Sequence, residues 1–317
     1  ALPIKESNEE THLPKKKGFR SKKQGLMHAC GHDAHTAMLL GATEIINEIK
    51  NQFNGEIKVL FQPAEEKGNG AKIMKKTGVL NDVDAVYGLH VWSNLQKGKI
   101  EINEGPMMAS DDMIKITVKG GGGHGSTPHE TKDPISTSFD IVNTIYKYLN
   151  REIDTRNPSV FTVTKFQGGS TWNVIPNEVE MEGTIRTFDP EVRKKIVNRT
   201  KEIGNAISEL NNLKFNFKDI YLDPPVVNTE KEAKIARKAA KKIVKEKNVI
   251  TNPPSMGAED FSHYLTDKPG AFIKIGSKNQ EKNISGPHHN EKFDLDESIL
   301  KNGTALYVLT ALEFLKT

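Results

Sequence analysis

Apolar residues recur at helical spacing in several segments of the chain. From Ala34 to Lys50, apolar side chains stand three or four positions apart, which predicts an amphipathic helix. In the next such segment, Asp133 and Pro134 are typical of a helix N-cap and first turn. The further predicted helices cover residues 134–150, 190–210, 230–247 and 298–315.

Between these helices, other segments alternate apolar and polar residues, the pattern of a β-strand with one buried face. The predicted strands cover residues 56–61, 83–90, 114–118, 161–166, 179–185 and 272–276. Because strands and helices interleave, we expect an α/β fold with a mixed central sheet flanked by helices. Residues 113–222 follow the order βαββαβ, which predicts an inserted α+β domain of ferredoxin-like type. The expected domains are 1–112 and 223–317 together, with 113–222 inserted.

Candidate metal ligands lie close to the chain's only cysteine. Cys30 precedes His32 by two positions, so in an extended segment both side chains point the same way. A thiolate and a neutral imidazole suit zinc or a similar first-row divalent ion. Taken alone, the pair fits equally well a cysteine that is simply a small buried apolar residue.

Glu65, Glu66 and His90 come at the ends of two predicted strands. Open α/β sheets bind ligands at the carboxyl ends of their strands. Of two adjacent glutamates, one can bind a metal while the other holds and moves a proton. A solvated turn at Glu65 to Lys67 is the alternative. Together with Cys30, these residues favour a two-metal hydrolase.

A run of glycines, Gly120 to Gly123, leads directly into His124. Glycines let backbone approach a ligand closely, and the histidine can stabilise an oxyanion. A flexible hairpin loop would have the same sequence. A phosphate-binding loop is disfavoured because the run lacks the Lys-Ser/Thr ending.

Several motifs together resemble the dinuclear aminoacylase and carboxypeptidase superfamily. The nearest branch is the amidohydrolase branch, with hippurate hydrolases, N-acetyldiaminopimelate deacetylases, indole-acetyl-amino-acid hydrolases and thermostable carboxypeptidases. The resemblance covers essentially the whole chain in the expected order. The motifs are Met27-His28-Ala29-Cys30-Gly31-His32-Asp33-Ala34-His35, Gln62-Pro63-Ala64-Glu65-Glu66, Gly88-Leu89-His90, His124-Gly125-Ser126-Thr127-Pro128-His129, Asn173-Val174-Ile175-Pro176, Met256-Gly257-Ala258-Glu259-Asp260-Phe261 and His289 followed by Phe293-Asp294.

The resemblance implies a role for each matching residue. Glu65 would be the general base and later the proton donor, and His124 would donate to the tetrahedral intermediate. Asn173 and Arg186 would bind substrate, Arg186 through paired hydrogen bonds to a carboxylate. The implied metal ligands are Cys30, His32, Glu66, His90 and His289.

Other residues near these motifs keep less defined expectations. His289 is preferred to His288 as the ligand, because the family ligand stands four residues before the matching Phe293. Glu259 and Asp260 match a motif near the metals, with their roles left open. Outer or surface positions are expected for His28, His35, His129 and His288.

The implied activity is hydrolysis of the amide bond of N-acyl amino acids by water activated between two divalent ions. Zinc fits the Cys and His ligands, and manganese, nickel or cobalt are alternatives. Two narrower alternatives stay open: an N-acetyldiaminopimelate deacetylase of lysine biosynthesis, or an impaired relative that acts as a binding protein. The resemblance also implies a homodimer through the inserted lid domain and a small-molecule substrate.

Composition excludes several other classes. The 317 residues carry 45 basic and 41 acidic side chains, a net charge of +4, too balanced for a nucleic-acid-binding stripe. A single cysteine excludes an intramolecular disulfide framework, and no apolar stretch approaches the roughly 20 residues of a membrane span. A cytoplasmic enzyme is therefore expected. Ala1 to Ile4 match the tail of a family segment, so we expect family members to carry residues before it.

Overall fold

The computed structural model describes residues 1–317, which divide into two compact units. The first unit contains three stretches of the chain, Ala1–Met107, Val227–Pro254 and Asp260–Thr317. The second unit contains Met108–Val226 and the short stretch Ser255–Glu259. The second unit is therefore inserted into the sequence of the first.

Helices and strands alternate along the chain. The α-helices are α1 (Leu13–Lys16), α2 (His32–Glu48), α3 (Gly70–Lys76), α4 (Pro134–Glu152), α5 (Pro190–Leu210), α6 (Glu230–Lys241), α7 (Ser262–Leu265) and α8 (Leu300–Phe314). The strands are β1 (Val86–Gln96), β2 (Ile100–Glu101), β3 (Gly105–Met108), β4 (Asp111–Lys119), β5 (Gly123–His124), β6 (Ser159–Gly168), β7 (Val174–Ile175), β8 (Glu178–Thr187), β9 (Lys214–Asp223), β10 (Val226–Asn228), β11 (Val249–Ile250) and β12 (Gly270–Lys278). Short 3-10 helices cover Lys50–Gln52, Glu65–Lys67, Pro128–Glu130, Glu246–Asn248, Gln280–Lys282 and Glu297–Ile299.

The first unit is built on a mixed four-stranded sheet in the order β1-β12-β2-β11. β1 is parallel to β12, whereas β2 runs antiparallel to β12. Apolar residues of these strands form one core with the inner faces of α2, α6 and α8. The predicted α/β fold with a mixed sheet and flanking helices is confirmed. None of the helices combines the length and the apolar character that crossing a bilayer requires.

His90 lies inside a strand, not at a strand end as the sequence pattern predicted. β1 extends to Gln96 because Val91 and Trp92 continue the parallel pairing with β12 beyond His90. The apolar run that ends at His90 marks only the first half of this strand. The ligand candidate therefore projects from a rigid, paired backbone.

Residues 56–61 form no strand, although their pattern predicted one. Ile57 and Val59 are half-buried and Lys58 between them is exposed, but Leu60 is half-buried and Phe61 is 47% exposed, so the alternation ends at Val59. A strand also needs hydrogen bonds to a neighbour, and this segment makes no β-ladder. The pattern thus identified Ile57 and Val59 as inward-facing, but it was wrong for Phe61 and specified no pairing partner.

The second unit has a four-stranded antiparallel sheet in the order β6-β8-β4-β9. Helices α4 and α5 pack their apolar faces on one core with these strands. Asp133 caps α4 by accepting from the Ile135 N–H, and Asp189 caps α5 by accepting from the Glu191 N–H. The order βαββαβ and this strand arrangement are ferredoxin-like.

One predicted helix is shorter than its sequence pattern. The pattern over 230–247 remains amphipathic to its end, but α6 stops at Lys241. The chain turns there, and Ile243 and Val244 pack against the core of the first unit. Burial of these two side chains outweighs the helical propensity of the lysines that follow.

Candidate metal centre

Cys30 and His32 are held where the chain turns into α2. Gly31 adopts φ of +94°, and a Cβ there would lie 2.3 Å from the Cγ2 of Val91. Only glycine fits this left-handed, crowded position. The turn makes His32 the first residue of α2 and leaves Cys30, 9% exposed, immediately before it.

His90 faces Cys30 from β1. Its Nε2 is 3.4 Å from the Cys30 Sγ, and its Nδ1–H donates to the Val91 carbonyl. Burial lowers the pKa of His90 well below its usual value, with smaller contributions from the neighbouring His35 and His288. The ring is therefore neutral, with its Nε2 lone pair directed at the thiol, which is the state that binds a metal.

Glu65 and Glu66 lie on the short 3-10 helix Glu65–Lys67, next to Ala64 at φ of +60°. The His32 Nε2 is 3.6 Å from the Glu65 Oε2, and the His32 Nδ1 is 3.8 Å from the Glu66 Oε1. Burial lowers the pKa of His32, against the opposing effect of the Glu66 charge. One imidazole thus separates the two carboxylates.

The histidine doublet divides into two different environments. His289, at φ of +60°, donates its N–H to the Ala29 carbonyl and places its Nε2 3.5 Å from the Glu66 Oε2. The His288 Nε2 instead accepts the Ser93 N–H at 3.0 Å, and burial lowers the pKa of His288 to about 4. The His288 Nε2 is thus already occupied, whereas the His289 Nε2 faces the Glu66 carboxylate.

The predicted ligands, together with the predicted base Glu65, form three overlapping groups, and within each group the donor atoms all lie within 4.8 Å of one another. A thiol, imidazoles and carboxylates together match zinc and similar first-row ions better than magnesium or calcium, which prefer oxygen ligands alone. The donor set therefore fits a two-metal centre. The groups are Cys30 with His32 and His90, Cys30 with Glu66 and His289, and His32 with Glu65 and Glu66.

Two histidines expected at outer positions support the His90 ring. The ring centroids of His35 and His288 lie 4.4 and 5.4 Å from that of His90. The His35 Nε2 accepts the Val91 N–H at 2.9 Å, and burial lowers the pKa of His35 to about 3. Its position three residues after His32, on the same face of one helix, is the sequence signal for this contact.

Lys274, a buried lysine next to Trp92, could not be identified from the sequence pattern. Lys274 is 2% exposed, its Nζ is 4.1 Å from the Trp92 ring centroid, and it lies 3.5 Å from the Glu101 carboxylate. Burial lowers the pKa of Lys274, and Glu101 opposes that shift. The Trp92 ring in turn contacts the rings of His90 and His288. In the sequence, Lys274 reads as the polar residue of an alternating strand.

In the second unit, the structure brings His124 and Asn173 together. β5, which contains His124, pairs with β7, and the Gly125 N–H donates to the Asn173 carbonyl at 2.9 Å. The His124 Nδ1 accepts the Ser126 N–H at 3.1 Å, so in the neutral ring the proton is on Nε2. The His124 ring is exposed and presents that N–H as a donor.

Arg186 lies apart from His124 and Asn173 within the second unit. Its guanidinium is 3.1 Å from the Asp111 carboxylate, near one end of β8. Asn177, next to the loop that contains Asn173, precedes the other end of the same strand. These residues therefore stand at opposite ends of one strand.

Comparison with protein families matches residues 1–313 to Peptidase family M20/M25/M40. Thermostable carboxypeptidase 2 of Saccharolobus solfataricus is 40% identical over 319 residues, covering 99% of this chain and 78% of the relative. The N-acetyl-L-cysteine deacetylase of Bacillus subtilis is 40% identical over 310 residues, covering 97% and 71%.

Among solved structures, the YXEP protein of Bacillus subtilis, described as a dinuclear metal-binding peptidase of the M20 family, superposes with a TM-score of 0.83. It is 33% identical, and the match covers 100% of this chain and 79% of that one. The family match covers residues 1–313, and these relatives span nearly the whole chain. This chain therefore belongs to Peptidase family M20/M25/M40.

Proposed function

We propose that this member of the family hydrolyses N-acyl amino acids, with Glu65 as its general base. The family and its relatives make the chain a metal-dependent hydrolase that acts on amide bonds. The observation that carries the proposal is the position of Glu65. Its carboxylate lies beside the ligand cluster, 3.6 Å from the His32 ring, while its neighbour Glu66 faces His32 and His289.

The proposed metal ligands are Cys30, His32, Glu66, His90 and His289. The neutral His90 and the Cys30 thiol already face each other in a ligand-competent arrangement. Two divalent ions bound there would lower the pKa of a water molecule and polarise the acyl carbonyl. Zinc is the ion that this donor set suits best, with manganese, nickel or cobalt as alternatives.

Glu65 moves the proton in the proposed reaction. Its carboxylate takes a proton from the attacking water, whose oxygen bonds to the acyl carbon. When the carbon–nitrogen bond breaks, Glu65 returns that proton to the leaving amine. The products are the free carboxylic acid and the free amino acid, and Glu65 is again ionised.

His124, Asn173 and Arg186 are the proposed substrate contacts of the second unit. The Nε2–H of His124 is available to donate to an oxyanion because Ser126 occupies Nδ1. Asn173 lies next to it and offers an amide to the substrate. Arg186 is proposed to bind the substrate carboxylate, which would have to compete with Asp111 for the guanidinium.

The organisation around the site is also a proposal. We assign catalysis to the first unit and a lid and dimerisation role to the second. On the second unit, Phe139 of α4 and Phe166 of the edge strand β6 stack at 5.0 Å while 59% and 39% exposed. An exposed aromatic pair beside an edge strand favours a homodimer through this unit. Light scattering that finds only monomers would contradict this assembly. A cytoplasmic location likewise stays a prediction.

A substrate panel and a single substitution test the proposal. Purified protein with its metal content measured should release free amino acid from N-acetyl or N-benzoyl amino acids. Glu65→Gln should then lower turnover by at least ~100-fold, the usual contribution of a general base, while metal content stays unchanged. Glu48→Gln, at an exposed position of α2, is the control. Unchanged hydrolysis by Glu65→Gln would exclude Glu65 as the base.

A further inference from the structure

Asp260 anchors the segment that contains Glu65 and Glu66. Asp260 is 1% exposed. Its carboxylate accepts from the Gln62 Nε2, at 2.7 Å on Oδ1 and 3.0 Å on Oδ2. The Oδ2 also accepts the Ala71 N–H at 3.0 Å. Gln62 and Ala71 stand on either side of the glutamate pair, so one buried carboxylate ties both ends of the segment.

The segment between these ends is folded tightly back on itself. Ala64 and Gly68 adopt left-handed φ values of +60° and +63°. A Cβ at Gly70 would lie 1.9 Å from the Pro63 carbonyl oxygen, so the two ends of the turn are in direct contact. A non-glycine residue in the left-handed region persists only where surrounding contacts hold it. The three bonds to Asp260 are such contacts.

Tyr264 fixes the other side of the Gln62 amide. Its hydroxyl donates to the Gln62 Oε1 at 2.8 Å, and the tyrosine is 4% exposed. The oxygen of the amide is therefore occupied by a donor and its nitrogen by the carboxylate of Asp260. The Gln62 amide therefore has one orientation.

We infer that Asp260 is a positioning residue, which fixes segment 62–71 and thereby the carboxylates of Glu65 and Glu66. This inference rests on the proposed function, because it assigns Asp260 to the base and to a ligand of that same site. Groups that orient a metal ligand from behind are commonly worth about 10-fold to 100-fold in metal affinity or activity. Replacing a residue that only filled space in the core would lower the stability of the fold without a specific effect on metal affinity or activity.

A pair of substitutions with opposite polarity tests the inference. In Asp260→Asn, the new NH2 group faces either the Gln62 NH2 group or the Ala71 N–H. In both orientations a donor opposes a donor, so one hydrogen bond is lost. Adding Gln62→Glu restores a donor–acceptor match, since the new carboxylate accepts from the asparagine amide and from Tyr264. The total charge and the volumes stay the same as in the natural chain. Asp260→Asn alone should therefore lower zinc affinity and turnover, and the double variant should restore both.

Three measurements distinguish positioning from a general structural role. For Asp260→Asn, zinc affinity measured by competition with a chromophoric chelator should fall by at least ~10-fold. Its kcat should fall by about 10-fold to 100-fold with KM changed less than about threefold, because the substrate contacts remain. The double variant should return both properties to within about threefold of the natural chain. Hydrogen exchange of the amides of residues 65–71 should be faster in the single variant only.

Asp267→Asn is the matched control, because Asp267 also pairs with α3, through Lys75, but has no bond to segment 62–71. Zinc affinity and amide exchange of Asp260→Asn equal to those of the control would overturn the inference. So would a double variant no better than the single one. If the natural chain neither binds zinc nor hydrolyses acyl amino acids, the proposed function fails. In that case, amide exchange of residues 65–71 in Asp260→Asn still tests whether Asp260 fixes segment 62–71. Unchanged exchange would overturn the inference, and faster exchange would uphold it.

Discussion

The Cys30 Sγ lies 3.4 Å from the His90 Nε2, although the two residues are 60 positions apart in the chain. The turn at Gly31 directs the thiol towards β1. The hydrogen bond from the His90 Nδ1–H to the Val91 carbonyl orients the ring so that its Nε2 faces the thiol. A thiol and a neutral imidazole at this separation can serve as two ligands of one ion. The geometry leads to a direct test of the metal centre.

Metal binding should protect the thiol of Cys30. In protein stripped with a chelator, we expect the chain's single cysteine to react with a disulfide reagent, and added zinc to slow this reaction at least ~10-fold, because a bound thiolate is not free to attack. Thiol titration with and without zinc measures the effect. Equal reactivity in both states would place Cys30 outside the centre. Magnesium at the same concentration is the control and should give no protection, because it prefers oxygen ligands.

His124→Gln should lower kcat by about 100-fold, the usual effect of losing one oxyanion donor, with little change in KM. The Ser126 N–H holds the ring so that Nε2 carries the proton, and glutamine does not reproduce that donor geometry. Steady-state kinetics on the best acyl amino acid measure the effect. His129→Gln, at an exposed position of the same loop, should behave as the natural chain. A normal kcat for His124→Gln would remove His124 from the reaction.

Gly31→Ala should destabilise the chain by about 2–4 kcal/mol, since it combines a left-handed residue with a clash in the core. The added Cβ would lie 2.3 Å from the Val91 Cγ2. Gly25→Ala is the matched control, because Gly25 has φ of +75° and open space around its Cβ, so only the backbone cost of about 1 kcal/mol applies. Urea unfolding measures both variants. Equal losses would show that the crowding at Gly31 relaxes freely.

The stability of the first unit should depend on pH through Glu313 of α8. Its side chain is 3% exposed, and ion pairs with Lys238 of α6 and with Lys242, directly after α6, lower the pKa of Glu313 to about 2. A lowered carboxyl pKa stabilises the fold above the unfolded value of about 4.3 and loses that contribution as the pH falls towards 2. We expect Glu313→Gln to cost roughly 1 kcal/mol at pH 7, because both lysines are partly solvated.

The difference between the natural chain and Glu313→Gln should shrink between pH 4.5 and pH 2, in urea unfolding curves recorded across that range. Glu48→Gln, at an exposed position of α2, should show no such pH dependence of the difference. A difference that stays constant down to pH 2 would mean that the lysines do not hold Glu313 ionised.

The sequence was most informative where structure is specified locally. The amphipathic segment 190–210 begins with a proline directly after the capping Asp189, and α5 has those same bounds. The βαββαβ order of the second unit likewise follows from alternation and turn residues alone. The prediction of a strand over 56–61 was wrong because a strand depends on a partner elsewhere in the chain, which no local pattern specifies.

The candidate site shows the same division. Motifs indicated the groups that would contact metal or substrate, and Cys30, His32, Glu66, His90 and His289 do lie together. The groups that orient them come from distant parts of the sequence. Gln62 and Asp260 are 198 positions apart, and a buried lysine in β12 looks like any polar strand residue. Such contacts depend on the folded chain and leave no local signal.

Two imidazoles also determine what the rim of the first unit's sheet can do. β1 is the terminal strand of that sheet, and the amides of Val91 and Ser93 point away from β12. His35 and His288 accept these two amides, so the donors that would recruit a foreign strand are already taken. The two histidines that surround the His90 ring thus also occupy two backbone donors along the outer edge of β1, which leaves those donors no bond to offer a foreign strand.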